Sequence, residues 1–521
     1  MYQILLIRRY LTSKIMPLLA ALAVALCTAM VLVVWSVMGG FLNMLVNSGR
    51  TLAGDVIIEC RPQGIGYYDE LCADLEKDPL VAGAAPMIQT FGLVTFPDGR
   101  SKTVIVRGIQ GASFARVTRY DELLWWRALD KPLPKDAKGE DPRLHVREPL
   151  ARAFQNGLSL TRQDPGQAAP LPAAVMGIEV WGHNVRVGGA GYYIPGQFTH
   201  TAPDATSERR FMFFDGFITL HVLPMDASMK VIQVTSQSFP VANEFQSGLY
   251  EVDESTVFVE LGALQRMLQM NSAGRIAKTP GGPYRVEIDP KTGEERIVQD
   301  APDAGESPAR ATTILVRGKQ DVGDEKALES LRDAVADAYG RFAERRRGMV
   351  PDKFRVDVHT WIDQNRTMIA AVKKETSLVL SLFSLISLTA VFLVLSIFWS
   401  MISEKTKDIG ILRAMGAGRA GVAGLWTAYG GALGVVGAIL GTLLAYAIVI
   451  NINPIHEWLG RALHVVIWDP RVYYFTTIPN QVDTPHAVMV FAGGVLSAVV
   501  GALIPAWRAA RMDPVKSLRF E

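Results

Sequence analysis

Four stretches of this 521-residue chain are long and apolar enough to cross a bilayer, and they constrain the fold more than any other feature. They run from Ile15 to Met38, Ser377 to Ile402, Val422 to Ile450 and His486 to Trp507. A helix needs about 20 apolar residues to span the hydrocarbon core. The first stretch follows Arg8, Arg9 and Lys14, as a cleaved leader would. It stays apolar well beyond Cys27, however, and Leu26 is too large for lipoprotein-type cleavage before that cysteine, so it reads as a retained anchor. With 49% of residues hydrophobic and 20% still charged, a large water-facing part must accompany the spans.

Lysine and arginine beside the spans set their direction, because they are retained on the cytoplasmic side. Arg8, Arg9 and Lys14 precede the first span; Lys405, Lys407, Arg413 and Arg419 separate the second from the third; Arg508, Arg511, Lys516 and Arg519 follow the fourth. Four spans bring all three sets to one face. Lys373 and Lys374 sit just outside the second span, where their stems can snorkel to the headgroups. The expected order is a cytoplasmic N-terminus (1–14), transmembrane helix 1 (15–38), an extracytoplasmic domain (39–369), a stalk with helix 2 (370–402), a cytoplasmic helix (403–419), helix 3 (420–450), an extracytoplasmic loop (451–485), helix 4 (486–507) and a cytoplasmic tail (508–521). The fold class is an α-helical membrane protein with four transmembrane helices, arranged 1+3, and a large α+β domain inserted between the first two.

Small residues recur at four-residue spacing in the third span, at Gly430, Gly434, Gly437 and Gly441, and in the fourth at Gly493, Ser497 and Gly501. That spacing lets another helix approach closely, either within the bundle or from another membrane chain. No span carries a mid-depth charge, which disfavours an ion or proton path. The net charge of +2, without a domain-scale basic surface, argues against nucleic acid. There is no GxxxxGK[ST], HExxH or CxxC, so neither a phosphate loop nor a familiar metal motif is present. Three cysteines cannot build a disulfide scaffold; Cys60 and Cys72 are either one bridge or two small buried side chains.

In the water-facing part, DVIIEC (Asp55–Cys60), KTVIVRGI (Lys102–Ile109), TTILVRG (Thr312–Gly318) and KFRVDVH have strand character. Helical spacing follows in YYDELCADLEKDP and from Asp324 to Arg345, where Leu328, Leu331, Val335 and Ala338 share a face. The two ends therefore form similar strand-helix-strand units that pack as one discontinuous part. FITLHVL (Phe217–Leu223), MKVIQVT (Met229–Thr235) and STVFVEL (Ser255–Leu261) predict a β-rich inserted lobe. Lys131–Pro172 and Lys278–Arg310, rich in proline, glycine and charge, read as surface excursions, and GGAGYYIPG (Gly188–Gly196) as a flexible turn. The absence of proline and glycine from Thr360 to Leu395 predicts one continuous helix projecting as a stalk.

Between the second and third spans lies EKTKDIGILRAMG. Its Ile409, Ile411, Leu412 and Met415 form an apolar stripe, Lys407, Gly410 and Arg413 take the other side, and Gly416 and Gly418 give a helix stop. The stripe either lies on headgroups and bundle or docks a soluble subunit. Glu404-Lys405 through Asp408 to Gly416 resembles the cytoplasmic coupling loop of FtsX/MacB-type ABC transporter permeases. The ending PAWRAARMDPVKSLRFE, with Arg508, Arg511, Asp513 and Pro514, resembles that family's carboxyl terminus. Asn243 to Leu268 resembles the LolC/LolE branch, with Phe245, Ser247, Gly248, Tyr250 and Glu251 matching its motif and Leu249 standing where methionine is usual. Leu124 to Arg210 has no counterpart in that resemblance.

The resemblance implies a non-catalytic permease subunit in the bacterial inner membrane, its large domain periplasmic. Two ATPase subunits would bind ATP and magnesium, and a second permease, identical or paralogous, would complete the machine. Closure of the ATPases would move the coupling helices and, by mechanotransmission, the outer domains. Lipoprotein release leads among the implied functions. MacB-like export, FtsX-like control of cell-wall hydrolases and, from another class, a membrane-anchored sensor without ATP coupling are the alternatives. Expected contacts are the substrate or an acceptor protein outside, and membrane lipid.

Overall fold

The computed structural model describes residues 15–133, 138–164, 168–187, 191–201, 208–212, 216–224, 231–274, 284–288, 295–299, 306–319, 325–464, 468 and 477–518. The chain divides into two compact units: 1–46 with 366–469 and 477–521, and 47–365 with 470–476. The principal elements begin with α1 (Ile15–Thr51), β1 (Val56–Glu59), α2 (Tyr68–Leu75), β2 (Val81–Thr95), β3 (Ser101–Ile109), α3 (Arg147–Ser159), β4 (Ala174–Gly177), β5 (Phe217–Val222) and β6 (Thr235–Phe245). Then come α4 (Tyr250–Ser255), β7 (Thr256–Glu260), α5 (Leu261–Met267), β8 (Thr313–Gly318), α6 (Glu325–Arg345), β9 (Asp357–Thr360) and α7 (Trp361–Gln364). The chain continues with α8 (Arg366–Glu404), α9 (Thr406–Ala414), α10 (Arg419–Ile450), α11 (Ile452–Leu463), α12 (Thr484–Ala510) and α13 (Pro514–Leu518).

In the α/β unit, β1 lies between β8 and β9, so both ends of the segment meet in one sheet. Helix α6 buries Leu328, Leu331, Val335 and Ala338 as its spacing predicts, and Tyr339 and Phe342 besides. The middle of the chain does not form a lobe of its own. It extends the same nine-stranded sheet, in the order β5-β6-β4-β7-β3-β2-β8-β1-β9. The 15-residue β2 is the reason: its first half pairs with β8 and its last residues with β5. A strand of that length serves two partners on one edge, and the β5–β2 pairing closes β2, β3, β7, β4, β6 and β5 into a ring.

Several sequence expectations for this unit are corrected. MKVIQVT is not a strand: β6 starts at Thr235, Val231 to Val234 lie outside it and are exposed, and Met229 and Lys230 fall outside the described residues. Lys131–Pro172 is not merely a surface excursion, because α3 buries Leu150 and Ala153, and Asp141 and Arg143 form a buried ion pair at 2.6 Å. The turn expected at Gly188–Gly196 includes a strand, Tyr192–Ile194, whose two tyrosines are buried; residues 188–190 lie outside the described set. Within Lys278–Arg310, Tyr284–Ile288 and Glu295–Gln299 pair as a hairpin. Cys60 and Cys72 are both buried and unbridged, and burial pushes the Cys72 thiol up to about 12, so it behaves as a small hydrophobe.

The predicted uninterrupted helix from Thr360 breaks at Asn365. Thr360 and Asp363 form a reciprocal capping box that starts α7, and the Asn365 amide then donates to the Trp361 carbonyl at 2.9 Å, which ends it. Helix α8 starts at the next residue. The break was not visible as proline or glycine because an asparagine side chain competing for the backbone produces it.

In the helical unit, four helices are long and apolar enough to cross a membrane among the described residues: α8, α10, α12 and the Met16–Met44 part of α1. The glycines of α10 divide by partner. A side chain at Gly430 would collide with Ala502, and one at Gly434 would come within 2.8 Å of Ala498, both on α12. Gly437 and Gly441 instead meet the Ala21 and Ala25 carbonyls of α1, while Gly501 lies against the Val391 carbonyl of α8. Gly493 departs from the pattern: nothing lies within 4 Å of where its side chain would be, and its neighbour Gly494 makes the close approach, to Thr28. Gly493 and Ser497 line a cavity of about 150 Å³ between α1, α8 and α12. The loop between the third and fourth spans contains α11, whose Ile455, Trp458, Leu459 and Leu463 are exposed.

Candidate functional site

Helix α9 lies between α8 and α10 and packs against α13. Its predicted apolar stripe is split. Ile409 is fully buried in a bundle cluster with Met401, Ile402, Val422 and Ala510. Ile411 and Met415, one helical turn apart, are 47% and 70% exposed, and Leu412 is half-buried. The sequence pattern could not separate these, because a short helix presenting one face to its own bundle and another to solvent needs apolar residues on both.

The rest of the motif fixes the helix in place. Lys405 and Asp408 pair at 2.8 Å near its start, and Glu404 is the last residue of α8. Arg413 donates from a terminal nitrogen to the Ala510 carbonyl at 2.6 Å, satisfying one of the carbonyls left open at the end of α12. After Met415, Gly416 adopts a φ of 96°, a left-handed turn that glycine makes without strain. The tail continues through a short helix, α13: the Asp513 carboxylate accepts from the Val515 N–H at 2.9 Å, and Pro514 takes the first helical position. Arg508 stacks over Trp399 at 4.0 Å and Arg511 over Trp507 at 3.7 Å. The arrangement is a bundle end tied by these contacts, with an exposed apolar tip.

In the α/β unit, Phe245 is buried at the end of β6, and Ser247 and Gly248 form the turn into α4, which starts with Tyr250 and Glu251. The residue that holds this turn is one the sequence reading passed over, Asp253. It is buried and accepts from the Ser247 N–H and hydroxyl, both at 2.6 Å, and from the Gly248 N–H at 3.2 Å. Nearby Glu244 is also buried, accepting from the Trp126 indole at 2.5 Å and from the Asn184 amide at 2.9 Å. The only sequence signal was an acidic residue just beyond a glycine turn, which surface loops share.

Burial pushes both carboxyls up to about 7, with the Glu179 charge adding to the effect. These pKa values exceed the unfolded values of about 4, so between roughly pH 4 and 7 the native state keeps protons that the unfolded chain has released. Stability therefore falls as pH rises through that window and levels off above it. Asp253→Asn removes one of the two groups and is expected to flatten the decline of melting temperature between about pH 5 and pH 8. An unchanged slope in thermal melts of the full chain would contradict the assignment.

Residues 380–514, covering most of α8 through the start of α13, match the family of FtsX-like permease C-terminal domains. The lipoprotein-releasing system transmembrane protein LolC of Xylella fastidiosa strain 9a5c is 28% identical over 164 residues, 32% of this chain and 40% of that protein. The LolC of Neisseria meningitidis serogroup B is 27% identical over 175 residues, 33% of this chain and 42% of its own. The chain thus spans about two fifths of the length of these relatives. Among solved structures, the periplasmic region of MacB from Actinobacillus actinomycetemcomitans covers 63% of this chain and 97% of its own, at 12% identity and a TM-score of 0.25. The bundle and its short helix therefore define an FtsX-like permease domain of the ABC transporter class. Within that class the chain is related to LolC.

Proposed function

We propose that this chain is the non-catalytic permease subunit of a bacterial inner-membrane ABC transporter that releases lipoproteins by mechanotransmission. The observation carrying this reading is the exposed tip of α9, placed between two candidate spans inside the FtsX-like segment. In this reading both termini and α9 are cytoplasmic, the α/β unit is periplasmic, and a separate pair of ATPase chains binds ATP and magnesium. A second permease, identical or paralogous, completes the assembly. Substrate is taken from the outer leaflet and need not cross the bilayer, in keeping with spans that lack mid-depth charge.

The test is purification of the tagged full chain from native membranes after photo-crosslinking. A co-purifying single-chain ATPase and a lipid-modified protein cross-linked to the complex are the expected result. Recovery without any ATPase would overturn the transporter reading. Recovery with the ATPase but with a cell-wall hydrolase as the cross-linked partner would replace lipoprotein release with the FtsX-like alternative.

A further inference from the structure

Strand β2 changes partners part-way along one edge. It pairs with β8 as far as Met87 and takes up β5 only from Gly92. Among the described residues no strand occupies that edge at positions 88–91, and a cavity of about 570 Å³ opens there. This lies within the roughly 300–1,000 Å³ range of small-ligand pockets.

The lining combines cationic and apolar groups. Arg61, which follows β1, and Arg310, which precedes β8, line the cavity near Gln63, with Pro62 and Met270 beside them. Arg310 donates to the Gln63 carbonyl at 3.0 Å, which orients its guanidinium, and Arg61 pairs with Glu59. Leu223 and Ile232 stand on the β5 side, with Phe91 and Ile105 contributed by β2 and β3. Among the described residues no aspartate or glutamate lines the cavity. A third arginine, Arg107, lies two residues from Ile105 on β3 and directly across from Gln89, another lining residue. Its Nε has no hydrogen-bond partner among the described residues, and burial, with the neighbouring charge of Arg61, pushes its pKa down to about 10. Among the described residues, Arg310 and Arg107 have no carboxylate partner, whereas Arg61 has Glu59.

Its apolar side is likewise incomplete. Phe91 is 67% exposed and Ile232 54%, side chains that gain by being covered. Strand addition to the open edge is already obstructed, because the Gln89 N–H donates to the Thr312 hydroxyl at 3.2 Å. What fits is a slender apolar body ending in one anionic group.

We propose that this cavity binds a single-chain anionic amphiphile, its head against Arg61 and Arg310 and its chain along Phe91, Ile105 and Leu223. The inference rests on the α/β unit alone and stands apart from the transporter reading. Charge-assisted hydrogen bonds to two guanidinium groups supply the preference for an anion, and the apolar wall supplies most of the affinity.

The experiment uses the full chain in lipid nanodiscs and two probes, dodecanoate and dodecanol, each carrying the same diazirine, with labelled peptides mapped by mass spectrometry. Dodecanoate is expected to label peptides containing Phe91 or Ile232, saturably, and roughly tenfold more than dodecanol. The double substitution Arg61→Gln with Arg310→Gln should erase that preference while leaving dodecanol labelling in place. Ile232→Asp, at an exposed position outside the strands, should reduce labelling by both probes at least about tenfold. It keeps the proposal testable if the arginine double variant fails to fold. Labelling confined to the spans, labelling indifferent to Ile232→Asp, or displacement by an acidic hexapeptide in preference to unlabelled dodecanoate would each overturn the proposal.

Discussion

In the transporter proposed above, Met415→Asp is expected to leave the chain folded and inserted but to weaken its association with the proposed ATPase by roughly 100-fold, the equivalent of about 3 kcal/mol. The side chain is 70% exposed at the end of α9, so replacing it costs the isolated permease little. In the assembled transporter the same position would lie against the ATPase, where an unpaired carboxylate is costly. Ile411→Asp should behave alike, since Ile411 lies one turn away on the same side. Leu412→Asp should uncouple as well, with some loss of stability because Leu412 is half-buried. Ile409→Asp should act differently: it places a charge among Met401, Val422 and Ala510 and destabilises the bundle itself. Pull-down of the ATPase alongside melting temperature separates the two outcomes. Wild-type pull-down by Met415→Asp, or equal loss of stability at Met415 and Ile409, would count against docking through this tip.

Much of this division was legible in the sequence, and what was not has a physical cause. The four long apolar runs are unambiguous because a bilayer-length segment has few other uses. The helix at 403–419 could be placed, but not the way it faces, because its buried Ile409 and exposed Ile411 are the same residue type. The strands at the two ends of the α/β unit could be recognised from their alternation. Their merger with the middle strands could not, since it depends on the length of β2 and on a pairing between Thr95 and Thr219 that are far apart in sequence. Asp253 and Glu244 escaped notice for a different reason. Acidic residues are mostly exposed, so their burial is visible only when the Ser247 turn and the Trp126 indole close over them. Gly493 was assigned to helix packing by its spacing from Ser497, yet the close contact belongs to Gly494, one residue on. A period of four fixes a stripe along a helix but not which member of an adjacent glycine pair meets the neighbour.

The second large effect is expected at α8. This helix has 39 residues, so at about 1.5 Å per residue it is roughly 58 Å long, nearly twice the hydrocarbon thickness. Its interior from Arg366 to Glu404 contains neither proline nor glycine, the residues behind most sharp helix kinks. Such a helix is stiff along its axis and can carry displacement from one end to the other. At the far end the chain already departs from helical geometry at Asn365, where φ is −103° and ψ 12°. Inserting Gly-Gly-Ser between Met368 and Ile369 puts a flexible joint inside the strut. Each glycine costs about 1 kcal/mol of helix stability, enough to melt the turn locally without unfolding the remainder. ATPase binding should persist while ATP-driven substrate release falls to less than about a tenth of wild type, because the joint absorbs the motion. The same insertion directly after Asn365 falls where the helix already breaks and should cost much less. Reconstituted release assays on both variants, normalised to assembled complex, decide the matter: equal activity for the two would mean that α8 serves as a tether and that force reaches the α/β unit by another route.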